Sequence, residues 1–80
     1  MDSNEIGDEG AKVLASALEK NKTLQEVTFF SNRIGDEGAK AMGAALEKNS
    51  TLQWLNLHNN QIGAKGAKAL APFRGRARWD

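Results

Sequence analysis

Eighty residues with no cysteine, a net charge of +1 and 26% charged side chains describe one small domain. The missing cysteine excludes disulfides, thiolate metal sites and a cysteine nucleophile. The net charge makes no case for or against nucleic acid, which is not among the expected partners. No run of about 18 apolar residues offers a membrane span, and no apolar N-terminal segment reads as a signal peptide. The expectation is a soluble, cytoplasmic protein.

Asn4-Glu5-Ile6-Gly7 returns as Asn32-Arg33-Ile34-Gly35 and as Asn60-Gln61-Ile62-Gly63, with 32 − 4 = 28 and 60 − 32 = 28. A fixed period of this size marks a stack of like units. Between the first two copies, Ile-Gly-Asp-Glu-Gly-Ala-Lys, Ala-Leu-Glu-Lys-Asn and Thr-Leu-Gln are identical. The third copy keeps Ile62, Gly63, Gly66, Ala67, Lys68, Leu70 and Ala71, then departs.

In chain order, Ala11, Leu14, Ala17 and Leu18 lie three and four apart and predict a helix over about 9–20. Asp8 precedes this face and suits an N-cap. Asn21 follows it, where a left-handed residue can end a helix. Leu24, Val27 and Phe29 then predict a strand near 24–29 with one buried face. The second unit repeats the scheme: Asp36 as N-cap, a helix over about 37–48, Asn49 at its end, and a strand near 52–57 through Leu52, Leu55 and Leu57. A shortened helix starts near 65. Like strands separated by helices run parallel and stack into a solenoid.

Leu52-Gln53-Trp54-Leu55-Asn56-Leu57-His58-Asn59-Asn60-Gln61-Ile62 resembles the leucine-rich repeat pattern L-x-x-L-x-L-x-x-N-x-I, and Leu24 to Ile34 matches it again. The 28-residue helical version is similar to ribonuclease inhibitor, Ran GTPase-activating protein and the receptor tails of nucleotide-binding-domain immune receptors. The Glu-Lys-Asn-x-Thr-Leu joint looks most like the last group. Ribonuclease inhibitor is cysteine-rich, unlike this chain. The resemblance implies an α/β leucine-rich repeat solenoid of about 2.5 repeats, with short parallel strands on the concave side and helices on the convex side. It covers residues 1–71, with repeats starting near Asn4, Asn32 and Asn60, and leaves 72–80 as a divergent basic and aromatic tail. It also implies that Asn4, Asn32 and Asn60 turn inward and hydrogen-bond backbone between units. Backbone groups in a buried turn need such partners.

Residues between the buried strand positions point to the concave side. These are Glu26, Thr28 and Phe30 in one unit and Trp54, Asn56 and His58 in the next. Parallel stacking pairs Glu26 with Trp54, Thr28 with Asn56 and Phe30 with His58. Exposed aromatics on a stiff sheet are common contact anchors. The expected function is a non-enzymatic module binding a protein through this face. The alternative is a self-assembling unit, natural or engineered, that homo-oligomerises through strand edges or solenoid ends. Both strands, 24–29 and 52–57, are expected to be sheet edges.

No catalytic group, metal or cofactor is expected. His58 has no nucleophile that spacing implies. Asp8, Glu9, Asp36 and Glu37 recur by repeat symmetry at helix starts, where they complement the helix dipole and form i,i+4 pairs Asp8–Lys12 and Asp36–Lys40. The triplets Asn21-Lys22-Thr23 and Asn49-Ser50-Thr51 match the glycosylation pattern but share one repeat position, which a helix-end role explains. In the tail, Pro72 falls where the period calls for helix interior. Arg74, Arg76 and Arg78 with Phe73 and Trp79 leave three readings open: an anion-binding tail, a makeshift cap over the core, or a tail foreign to the stack.

Overall fold

The computed structural model describes residues 7–29, 33–58 and 60–79. Helices α1 (Asp8–Lys20), α2 (Asp36–Lys48) and α3 (Ala64–Leu70) alternate with strands β1 (Glu26–Thr28), β2 (Trp54–Asn56) and β3 (Ala77–Arg78). A 3-10 turn over Ala71–Phe73, with Pro72 in it, follows α3. The strands form one parallel sheet in the order β1-β2-β3. Helix α2 packs against both α1 and α3. The architecture is the expected α/β solenoid.

The apolar spacing read from the sequence becomes the core. Ala11, Ala15 and Leu18 of α1, Ala39, Met42, Ala45 and Leu46 of α2, and Leu52, Leu55 and Leu57 around β2 form one buried cluster. Small residues set the helix spacing. A Cβ on Gly66 would lie 2.8 Å from both Ile62 Cγ2 and Asp36 Oδ1, and Gly38 is as tightly enclosed by Ile34 and Asp8.

Asp8 and Asp36 are not N-caps of their own helices. The cap positions are Gly7 and Gly35, in extended conformation and without a side-chain bond. Each aspartate caps the next repeat instead. Asp8 Oδ1 accepts hydrogen bonds from the N–H groups of Gly35 at 2.7 Å and Gly38 at 3.0 Å. Asp36 Oδ1 accepts from Gly63 at 2.7 Å and Gly66 at 3.0 Å. A helix cannot satisfy these first-turn donors itself, and the carboxylate meets the positive end of the neighbouring helix dipole. With the aspartates so engaged, the local ion pairs are Lys12–Glu9 at 3.2 Å and Lys40–Glu37 at 3.3 Å, and not the expected Asp8–Lys12 and Asp36–Lys40.

The helix-ending asparagines are extended rather than left-handed, at φ −82°, ψ 125° for Asn21 and φ −102°, ψ 116° for Asn49. Their side chains turn the chain. Asn49 Oδ1 accepts from Thr51 N–H and Leu52 N–H, both at 2.8 Å, and Asn21 Oδ1 does the same for Thr23 and Leu24. Asn49 is also buried and donates from Nδ2 to the carbonyls of Leu18 and Asn21. Its amide nitrogen is therefore structural. Asn60 bridges units as the resemblance implies, donating to Phe29 O at 2.7 Å and Leu57 O at 2.9 Å and accepting from Ile34 N–H at 3.1 Å. Asn4 and Asn32 lie outside the described residues.

The second expected sheet edge is not an edge. β3 pairs with β2 in the register Leu55↔Ala77 and Asn56↔Arg78. The shortened helix makes this possible. Asn56 + 28 = 84, yet its partner is Arg78, six residues early; α3 has 7 residues where α2 has 13, also six fewer. The loss of helix brings the third strand back into register.

Replacing Asp36 by Ala removes the cap of α3 and leaves the N–H groups of exposed Gly63 and buried Gly66 without this acceptor. The expected cost is about 1–2 kcal/mol, or a melting point lower by roughly 4–8 °C per kcal/mol. Glu37→Ala, which breaks only an exposed pair, should cost less than about 0.5 kcal/mol. Thermal denaturation of both variants followed by circular dichroism checks the difference.

Candidate functional site

Strand alternation decides what faces outward. On β2, Leu55 is buried while Trp54 and Asn56 on either side are half-buried. On β1, Glu26 is exposed and Thr28 half-buried. The register places Glu26 beside Trp54 and Thr28 beside Asn56, as the repeat arithmetic predicts. His58 follows β2, half-buried, and its N–H donates to Asn56 Oδ1 at 2.9 Å. Part of Asn56 is thus committed to turning the chain. Phe30, expected beside His58, lies outside the described residues.

The face also contains a residue that sequence reasoning missed. Arg78 pairs with Asn56, so Thr28, Asn56 and Arg78 form one row across three strands. Arg74, Ala77, Arg78 and Trp79 line a depression of about 370 Å³ at the same end of the sheet. A strict 28-residue mapping hides Arg78. Allowing the helix to shorten by the six residues between Asn56 + 28 and Arg78 would have found it.

Arg76 has a different role. Its guanidinium donates from Nε to Leu52 O at 2.9 Å, from Nη1 to Leu46 O at 2.9 Å, and from Nη2 to Asn49 O. Leu46 and Asn49 are the equivalents, 28 residues on, of Leu18 and Asn21, the carbonyls that Asn49 itself holds. Arg76 does for the third repeat what Asn49 does for the second. Phe73 and Trp79 are partly buried against the core. One of the tail's three arginines therefore faces inward, which supports the cap reading of the tail over the anion-binding one.

Among the described residues, no group of three His, Asp or Glu side chains could hold a metal ion. None of the described helices is long and apolar enough to cross a membrane.

Arg76→Met should lose three charge-assisted bonds and leave carbonyls unpaired, at a cost of about 2–3 kcal/mol. Arg74→Met, on an exposed residue, should stay within about 0.5 kcal/mol of the parent. Urea denaturation of the two variants measures both.

A family model described as Leucine Rich repeat matches residues 1–15, 20–43 and 48–71. The second and third matched segments begin 28 residues apart (48 − 20), the period of the stack. No curated protein matches the chain. The chain belongs to the leucine-rich repeat family.

Proposed function

We propose that this chain is a non-enzymatic module that binds a protein through the strand face of the sheet, in the manner of the 28-residue, ribonuclease-inhibitor-like repeats of immune receptors. Leucine-rich repeats are in general protein-interaction modules. The observation that carries the reading is Trp54, half-exposed on the central strand over buried Leu55. Its backbone N–H donates to Gln25 O at 3.0 Å, and the backbone N–H of Phe29 donates to Asn56 O at 2.7 Å. The backbone under the indole is held before a partner arrives, so little ordering opposes binding.

Around the indole, Glu26 lies on the β1 side and Arg78 on the β3 side, with Thr28, Asn56 and His58 between them. An aromatic anchor with a polar surround is the usual composition of a binding patch. The partner that fits offers an apolar side chain to Trp54 and a basic group to Glu26. No cofactor enters this reading.

A second reading, self-association, is favoured by one observation. Among the described residues, the large apolar ones left exposed, Val13 at 71% and Leu24 at 43%, both belong to the first repeat. A second copy would have to cover that end.

The test is capture of a protein partner by immobilised chain. Trp54→Ala, with its helical circular dichroism retained, should lose about tenfold or more in affinity for the captured protein, and Lys40→Glu on α2 should not. Equal capture by all three chains would remove the strand face from consideration.

A further inference from the structure

The whole-chain charge conceals a segregation along the stack. Residues 4–31 hold five acidic and three basic side chains, a net of −2, and residues 32–59 hold three of each. From Asn60 to Asp80 five basic side chains stand against one acidic, a net of +4. That one, Asp80, lies outside the described residues. The change is made at matched positions. Glu9 and Glu37 pair with Lys12 and Lys40 three residues later. At the same place in α3, Lys65 precedes Lys68, so two exposed like charges are neighbours on the helix. Ala64 stands where the other repeats have Asp8 and Asp36. The third repeat thus loses both carboxylates of the helix start and gains a lysine. Such asymmetry along a chain is an electrostatic footprint of polyanion binding.

We propose that the third repeat binds single-stranded nucleic acid, with one nucleotide seated in the depression beside β3. Arg74, Ala77, Arg78 and Trp79 line it, and its volume of about 370 Å³ is that of a small-ligand site. Arg74 is exposed and its guanidinium makes no bond among the described residues. Trp79 packs partly against the core and borders the depression with what remains uncovered, so the indole is held in place. A base stacks on that indole, and the phosphate beside it meets the guanidinium of Arg74. Arg78 is exposed but already engaged within the chain, and no phosphate contact is assigned to it. Lys65 and Lys68, in the helix that leads to Arg74, draw the strand in by their field. Capping and binding are two sides of one segment: Arg76 and Phe73 turn to the core, while Arg74 turns to solvent.

Two other polyanions fit less well. An acidic peptide satisfies Arg74 and leaves the indole without a stacking partner. A lipid surface calls for an aromatic side chain that can enter it, and Trp79 is partly buried against the core. Nothing in this site depends on Trp54 or on the protein-binding role proposed for the strand face.

The experiment is fluorescence anisotropy of a labelled oligoadenylate of about ten nucleotides, titrated with the full chain. Binding should weaken roughly tenfold between about 50 and 200 mM salt, the dependence expected of about two to three phosphate contacts. Arg74→Gln, and Lys65→Glu, which restores the residue of the other two repeats, should each weaken binding several-fold with circular dichroism unchanged. Lys68→Gln should weaken it too, whereas Lys12→Gln, the same position in the first repeat, should not. Trp79→Ala should lose about tenfold, and Trp79→Phe, which keeps an aromatic face against the core and the base, should retain most of the affinity. A strand of the same length without bases should bind about tenfold more weakly than oligoadenylate. Three results would overturn the proposal: no binding at about 50 mM salt, equal losses on Lys68→Gln and Lys12→Gln, or base-free strand or polyglutamate bound as tightly as oligoadenylate. The last would make the third repeat a general acceptor of acidic chains, with no role for the indole.

Discussion

Asp36 Oδ1 accepts bonds from two backbone N–H groups of the following repeat, and Asn49 Nδ2 donates to two backbone carbonyls of the preceding one. With Asp8, Asn60 and Arg76, these side chains carry hydrogen bonds of the backbone from one repeat to the next. Each such bond contributes about 1 kcal/mol net, and more when the acceptor or donor is charged. A chain of this size rarely gains more than about 3–5 kcal/mol from its core. The bonds between units are therefore comparable to the whole margin of stability. The exposed Lys–Glu pairs within α1 and α2, at about 0.3–0.5 kcal/mol each, are not.

This linkage explains why so short a stack presents an ordered face. The strands have three, three and two residues, too few to fix a sheet by themselves. Asn60 holds the ends of β1 and β2 together, and Arg76 holds the approach to β3. The row Thr28, Asn56, Arg78 and the indole of Trp54 are outcomes of those anchors. The proposed interaction face thus depends on residues that are not part of it.

Much of this was legible in the sequence because a period of 28 residues fixes which positions are alike. Helices and strands followed from the apolar spacing within each unit, and the parallel sheet and the pairing of Glu26 with Trp54 from the period. The roles of Asp8, Asn21, Asn49 and Arg76 did not. An aspartate before a helix looks the same whether it caps its own helix or the next, since the two N-termini differ by one translation of the stack. The strand at Ala77–Arg78 was hidden for another reason: losing six helical residues breaks the period while restoring the register. Composition marks Arg76 as basic and solvent-seeking, and only the three carbonyls around it reveal an anchor.

The most direct test of the account is native-state amide hydrogen exchange resolved by residue. If the aspartates cap across repeats, the N–H groups of Gly35, Gly38, Gly63 and Gly66 exchange slowly, close to the global opening rate. Those of Gly7 and Gly10, to which no aspartate is bonded among the described residues, exchange faster. Equal protection at all six glycines, or fast exchange at Gly63 and Gly66, would contradict it.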